Sequence, residues 1–487
     1  MTDQQIYAVY EAGPAAVLTL VRGLLERLDQ QQAQIITLTA RVKALEDQRA
    51  QNSSNSSKPP SSDYVKPAPK SLRQVSGKLP GGQPGHRGDT LKMVAHPDQV
   101  VVHGLAQCQQ CGGSLTHVQP EAWQRRQVFE VPAPRLVVTE HRIAHKSCPC
   151  CGRLNQGLFP ASVSAPVQYG PRLKALALYL IDFQLLPYGR TSEFFADVFG
   201  HSISEGTLCE MTRTCYERLA EPEQQIKQAL AAASVGHFDE TGFYVEDSRR
   251  WLHVASTAQL THYGWHEKRG HDATDALGIL PVFAGVAIHD GWRSYRRYGC
   301  AHGLCNAHHV RELSFVAERY GQAWSTQMKA LLLEIKQAVD EAKAAGAAAL
   351  AALKRRRYRA RYALILQEGI RANPPPVPGG KGRGKQSKAK NLLDRFNRWI
   401  RLARDGEEVL RFMEDFRVPF DNNQAERDLR MMKVKQKISG CFRSRAGASY
   451  FCRTRSYLST MRKQGQGMLD ALERVFTGDP ISILIPE

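Results

Sequence analysis

The 487-residue chain has no apolar run approaching the eighteen or so residues that a membrane-spanning helix needs. Its first residues, MTDQQIYAVYEAG, lack the basic-then-apolar order of a secretory signal, so the expected location is the cytoplasm. Cysteine is sparse: eleven in a long chain of a reducing compartment suit metal ligands and buried thiols and exclude a disulfide scaffold. Acids are also in short supply, 47 against 66 Lys and Arg, which leaves a formal charge of +19 and favours a polyanionic partner, nucleic acid before others. Hydrophobic content of 42% is ample for real cores, so the chain is not a disordered protein. Its length suits about three domains.

Against that cationic background the stretch VPFDNNQAERDLRMMKVKQKISGCFR, Val418 to Arg443, stands out because Glu426 sits in it. Between Asp421 and Lys463 eleven Lys and Arg face three acids. Asn422 or Asn423 can cap a helix that puts Glu426, Arg430 and Lys433 on one face at i, i+4 and i+7. Taken alone, Glu426 reads as a solvated partner of Arg430. Two further acids upstream, each closing an apolar strand pattern, give it another reading.

Residues 17–50 carry heptads, with Val21, Leu28, Ile35 and Val42 at one apolar position and Leu24, Gln31, Leu38 and Leu45 at the other. This pattern gives either a parallel two-stranded coiled coil, register fixed by Gln31, or an amphipathic helix packed on its own domain. The Ser/Pro/Gly/Lys-rich tract from Gln51 to Asp89 is a flexible basic linker. Cys108 with Cys111, and Cys148 with Cys151, form two CxxC pairs that complete a tetrahedral zinc shell. The 36 residues between them contain two strand-like runs, Arg126 to Val131 and Leu136 to Ile143, and suit a ribbon sharing one zinc. Cys150 is a spare thiol that loosens the ligand assignment at the second pair.

From Pro171 to Ala220 the period turns helical, and helix, Gly-containing turn GHSIS, helix is the outline of a helix-turn-helix, which serves either packing or DNA reading. Ser234–Asp239, Arg250–Thr257 and Thr261–His266 then read as three strands, His271–Leu280 as a helix and Phe283–Asp290 as a buried parallel strand. That order opens a ribonuclease-H-like α/β fold, with Asp239 and Asp290 at strand ends. The 136 residues from Asp290 to Glu426 exceed any bare crossover, so they contain a helical insertion with a mobile basic loop at 373–390.

Phosphodiester transfer needs two divalent cations about 4 Å apart, and Mg²⁺ (with Mn²⁺ as substitute) is held by few carboxylates plus water and phosphate. Asp239 bridging the ions, with Asp290 and Glu426 flanking, is the expected catalytic and metal set. Arg427, Arg430, Lys433, Lys435, Lys437, Arg443 and Arg445 are the expected DNA contacts. Cys305 and His308, as CxxH, are either half of a second, structural zinc site or a buried thiol beside a helix-start histidine, with His302 and His309 close in sequence.

The motifs NSSKPPSSD, GGQPGHRGDTL, the two CxxC pairs, HFDETG, HDGW, CNAHHVREL and VPFDNNQAERDLRMMKVKQKISGCFR, in that order, resemble the DDE transposases of the insertion-sequence-66 family over nearly the whole chain. The resemblance implies a leucine-zipper-like N-terminus, a zinc-binding domain, a ribonuclease-H-like catalytic domain and a short C-terminal segment. By motif, it puts the three acids on Asp239, Asp290 and Glu426. It also implies terminal inverted repeats as substrate and accessory proteins from the same element. The expected layout is thus a multidomain α/β protein. It has a coiled-coil dimerisation helix at 1–50, a linker at 51–100, a zinc-ribbon-like β domain at 101–160 and a helix-turn-helix-like segment at 165–230. The catalytic core follows at 231–310, the insertion at 311–417, the rest of the core with Glu426 at 418–465 and a tail at 466–487. The expected protein is a homodimeric, nucleoid-associated enzyme that cleaves and joins DNA. The alternatives are a zinc-dependent DNA-binding repressor and a ribonuclease-H-like nuclease without a joining step.

Overall fold

The computed structural model describes residues 1–52, 55–56, 90–375, 386–401 and 408–485. Most of the tract read as a linker, and 376–385 of the basic loop, lie outside the described residues. The chain divides into two compact units, one formed by Met1–Lys66, Pro160–Glu193 and Ile203–Glu487, the other by Pro67–Phe159 and Phe194–Ser202.

In the larger unit, helix α1 (Asp3–Glu11) precedes the 37-residue α2 (Pro14–Ala50). The heptad positions of α2 are exposed, Val21 at 45% and Ile35 at 62%, so the stripe is not packed on this chain's own core. The C-terminal end of α2 is fastened to the larger unit through Glu46, paired with Arg319, and the buried Asp47, which meets Arg319 and Tyr320.

The smaller unit contains a two-stranded hairpin, β1 (His145–Ser147) with β2 (Leu154–Gln156). The expected strands at 126–131 and 136–143 do not form: most of these residues are exposed, Val128 at 89% and Val138 at 90%, with Pro132 and Pro134 between them. Gln127 supplies a strand-like contact instead, its side-chain amide donating to the carbonyl of Val94 and accepting from its N–H, both at 2.8 Å.

Helix α3 (Pro171–Leu178) runs into a π-helical turn, Tyr179–Phe183, followed by α4 (Tyr188–Phe199), α5 (Glu205–Arg218) and α6 (Ala220–Ala231). Ser204 caps α5, its Oγ accepting from the Thr207 N–H at 3.2 Å. Leu208, Met211 and Cys215, on one face of α5, are buried.

The central sheet is five-stranded, in the order β5-β4-β3-β6-β7, from β3 (Val235–Val245), β4 (Ser248–Ser256), β5 (Thr261–His266), β6 (Val286–His289) and β7 (Ala301–Leu304). Strands β3, β4 and β5 form an antiparallel meander, whereas β6 and β7 add in parallel on the other side of β3. Helix α7 (His271–Leu277) lies in the crossover between β5 and β6. Gly285 opens β6 because any side chain there would drive into the Ser234 carbonyl, 2.6 Å from its Cβ position. The close approach this permits lets β6 pair with the start of β3.

Helices α8 (Asn306–Tyr320), α9 (Ala323–Ala344), α10 (Ala352–Ala372), α11 (Lys388–Arg401) and α12 (Arg411–Glu414) follow β7. Their apolar faces share one core with β6 and β7: Val286, Ile288 and Leu304 pack with Leu313, Met328, Leu331 and Phe396. A second core covers the meander. In it Phe243, Leu252, Val254 and Tyr263 meet α13 (Asn423–Ser439) and α14 (Arg445–Lys463). The stripe Ala425, Leu429, Met432 at i, i+4, i+7 makes α13 the helix it is, and Gly440 (φ 71°) ends it. Helix α15 (Met468–Thr477) packs on α3.

Candidate active site

Asp239 lies inside β3, opposite Val254 of β4, and not at a strand end as the sequence suggests. The parallel ladder with β6 stops at His237 paired with Ile288, while the hairpin with β4 carries β3 on to Val245. Asp239 therefore stands just past the end of the β6 ladder, inside the hairpin with β4. Asp290 is the first residue past β6, and its Oδ1 accepts the Trp292 N–H at 2.8 Å. Glu426 lies in the first turn of α13.

The three acids share one electrostatic environment. Burial pushes Asp239 well above the carboxylate range, and the charges of Glu240, Asp290 and Glu426 push it further. Burial also raises Asp290, with Arg269 and Arg395 among the groups opposing the shift. Glu426 is raised by burial, against Arg311 and Arg430 and with Asp421 and Asp290 adding to the rise. Its Oε1 is shielded from solvent, has no hydrogen-bond partner, and stands 3.7 Å from the Arg311 guanidinium.

A fourth acid, Glu240, escapes any reading of the sequence because its neighbours in space come from three separate segments. Its side chain is 1% exposed, paired with Arg269 at 2.7 Å, and accepts a hydrogen bond from the Tyr295 hydroxyl. Arg269 lies between the faces of Trp251 and Trp292, 4.9 and 4.3 Å from the ring centroids. Tyr295 in turn stacks on His289. The Gly291 N–H donates to His289 Nδ1, which leaves His289 Nε2–H to donate to His302 Nδ1 at 3.0 Å. Burial lowers the pKa of both imidazoles. This neutral relay and the Arg269 sandwich together hold the loop that carries Asp290.

Asn422 fixes the third acid. It is 1% exposed and occupies the cap position of α13, but its side chain does not cap the helix. Asp421 does that, accepting the Asn423 N–H at 3.0 Å. The Asn422 amide instead donates to the Phe238 carbonyl at 2.9 Å and accepts from His237 Nδ1 at 2.8 Å. Its backbone N–H donates to Cys305 Sγ at 3.2 Å, and its carbonyl accepts from the Glu426 N–H.

The expected DNA-contacting cations divide. Arg427, Arg430, Lys437, Arg443 and Arg445 are exposed, Arg445 pairing with Glu267 at 2.9 Å. Lys433 donates to the Gly242 carbonyl, and Lys435 is turned inward over the rings of Phe442 and Phe451. Those two are held by contacts within the fold. Cys305 and His308 lie at the start of α8 within ligand distance of Glu426, and these three are the group of ligating side chains gathered within 4.8 Å among the described residues. Burial pushes the Cys305 thiol up to about 12 and His308 down to about 4.

In the smaller unit the two CxxC pairs adopt one geometry. The Cys108 N–H donates to the Gly113 carbonyl and the Gly112 N–H to the Cys108 carbonyl, with Gly112 at φ 73°. Cys148, Arg153 and Gly152 (φ 68°) repeat the arrangement. The N–H groups of Cys111 and Gln110 lower the Cys108 pKa, as those of Cys151 and Cys150 do for Cys148. Such turns present thiolates to a zinc ion. Each pair is formed locally, although the four sulfurs are not gathered within 4.8 Å of one another. Cys150 is exposed beside the second turn.

The larger unit thus combines a mixed five-stranded sheet with three acids that sense one another's charge, and the smaller unit has two cysteine knuckles. The family model Transposase IS66 family matches residues 166–450, more than half the chain, so the chain belongs to that family. The zinc-finger binding domain of transposase IS66 matches residues 106–152, a span that includes all four knuckle cysteines, and supports Zn²⁺ and DNA binding. A family of unknown function (DUF6444) matches residues 14–92. No curated protein gives a significant match. Among the described residues no helix is long and apolar enough to cross a membrane.

Two outcomes follow from this geometry. Because the three acids have folded pKa values above their unfolded ones, the cluster favours folding most at low pH and loses that contribution as pH rises through the raised values. Asp239→Asn should raise the melting temperature in chelator at neutral pH by about 2–6 °C, equivalent to roughly 1–2 kcal/mol, and should reduce the stabilisation by Mg²⁺ that the wild type shows in the same melting assay. Asn422→Ala should lower stability by about 2–4 kcal/mol by orphaning the Phe238 carbonyl and the His237 N–H. Hydrogen exchange should show lost protection at the Glu426 amide first.

Proposed function

We propose that the chain cuts DNA at its element's terminal inverted repeats and joins the freed 3′-hydroxyl to target DNA, with Asp239, Asp290 and Glu426 as the catalytic acids. The observation that carries this reading is that these carboxylates, from positions far apart in the sequence, lie near enough for Asp290 and Glu426 to raise Asp239 and for Asp290 to raise Glu426, although their oxygens are not gathered within 4.8 Å of one another. The sheet order, a long central strand with an antiparallel meander on one side and two parallel strands on the other, supports a ribonuclease-H-like core. Helices α8 to α12 then form its insertion.

The donor set fits hard divalent cations, since carboxylates kept from water and pressed together gain most when a dication neutralises them. Asp239, Asp290 and Glu426 are the residues that would hold Mg²⁺ there, and the bound ions would provide an activated attacking oxygen and stabilisation of the leaving oxygen. The protein's own part is positional. Asp290 is held by its loop, Glu426 by Asn422, and exposed Arg427, Arg430, Lys437, Arg443 and Arg445 neutralise and orient phosphates. The exposed heptads of α2 support dimerisation through a parallel coiled coil, and the knuckle unit supports a single structural zinc on Cys108, Cys111, Cys148 and Cys151.

The test is a cleavage and joining assay on a labelled fragment of the element's own ends. Alanine at Asp239, Asp290 or Glu426 should lower both steps by about 10³-fold or more, with end binding by gel shift retained. Wild-type activity in any of the three would overturn the assignment. Cleavage without joined product would instead identify a nuclease, and binding with neither step a repressor.

A further inference from the structure

We propose that Cys305, His308 and Glu426 form a transition-metal site of zinc type that shares Glu426 with the catalytic acids, so that filling it withholds the third acid from Mg²⁺. The inhibitory half of this proposal rests on the catalytic reading above, whereas the metal site itself does not. One sulfur, one ring nitrogen and one carboxylate oxygen lie within 4.8 Å of one another. His308 Nδ1 and Glu426 Oε1 are 3.9 Å apart. Two ligands of one tetrahedral zinc stand about 3.3–3.7 Å apart, given bonds of about 2.0–2.3 Å, so a small rotamer adjustment suffices.

Both atoms are shielded from solvent without a hydrogen-bond partner, which is a costly state for a buried polar pair and one that a shared cation relieves. The scaffold is rigid on both sides. Cys305 and His308 occupy the cap and first turn of α8, Glu426 occupies the first turn of α13, and the Asn422 N–H on Cys305 Sγ ties the two helix starts together. Thiolate and imidazole favour Zn²⁺ over Mg²⁺, which takes oxygen ligands, so the site discriminates against the catalytic ion by donor type. Arg311, 3.7 Å from Glu426 Oε1, is the cation that steadies this carboxylate when no metal is bound. A thiolate and a carboxylate neutralise a dication, so the bound ion adds little repulsion to Arg311.

The deciding experiment counts zinc by mass spectrometry in full-length protein produced with zinc and desalted. Cys305→Ala and His308→Gln should each contain one zinc fewer per chain than wild type. Cys148→Ala should lose a different one, so that the Cys148/Cys305 double variant loses both. Asp239→Asn, which removes catalysis, should keep the wild-type count, and that separates this site from the catalytic assignment. In Mg²⁺-supported cleavage, added zinc should lower the wild-type rate by about tenfold and the His308→Gln rate by less than about twofold, each relative to the same protein without zinc. Unchanged zinc content in both Cys305→Ala and His308→Gln overturns the site. Loss of zinc from those variants together with equal zinc inhibition of wild type and His308→Gln overturns the sharing of Glu426.

Discussion

The buried amide of Asn422 is the contact on which the geometry of this protein turns. It satisfies a carbonyl of the central strand and a ring nitrogen two positions from Asp239, while its own backbone bonds Cys305 at the start of α8 and Glu426 in α13. Strand β3, helix α8 and helix α13, separated by long stretches of chain, thus meet at one residue. An aspartate at the same place could accept from His237 but could not donate to the Phe238 carbonyl, and it would add a fifth negative charge beside Asp239, Glu240, Asp290 and Glu426. The amide is the group that provides both a donor and an acceptor without charge.

That neutrality matters because the pocket itself is held in tension. Glu240 and Asp290 raise Asp239, and Asp290 raises Glu240, while the cations that oppose the buried acids are Arg269, Arg311 and Arg395, from the meander crossover and the helices after β7, joined by Arg430 of α13 at Glu426. The abundant Lys and Arg that dominate the composition therefore do two separate jobs. A few balance the acids from inside, and the exposed set on α13 and beyond gives the surface its field. Composition alone cannot distinguish these groups, since Lys433 and Lys435 look like surface cations in sequence and prove to be held by the Gly242 carbonyl and two phenylalanine rings.

Much of the site was legible from local pattern. The apolar run ending at Asp290, the helical stripe after Asn422 and the Cys-x-x-Cys-Gly turns each carry a short-range signature, and each appears where that signature indicates. What failed did so for reasons of context. Strand β3 was read as ending at Asp239 because the polar residues after it break the apolar run, yet pairing with β4 carries them on to Val245. The Val- and Leu-containing runs at 126–143 alternate like strands but find no partner strand, and alternation without a partner gives an extended chain and nothing more. Strand β7 was missed because Ala301–Leu304 is short and carries a histidine, and Glu240, Asn422 and Trp251 acquire their roles only through partners tens of residues away.

Helices α8 to α12 bear on this division between local and distant. An appended domain would have its own core, but here Leu313, Met328 and Phe396 complete the core beneath β6 and β7, so the strand that delivers Asp290 cannot be stable without them. The same α8 whose first turn holds His308 and Arg311 against Glu426 ends in Arg319 and Tyr320, and these grip Asp47 of α2 at 3.0 and 2.6 Å. One helix of 15 residues therefore connects the end of the long N-terminal helix to the acid pocket. Its length, about 22 Å at the rise of an α-helix, is spanned by continuous hydrogen bonding, so the Asp47 anchor and the Arg311 end belong to one regular element with no loop between them.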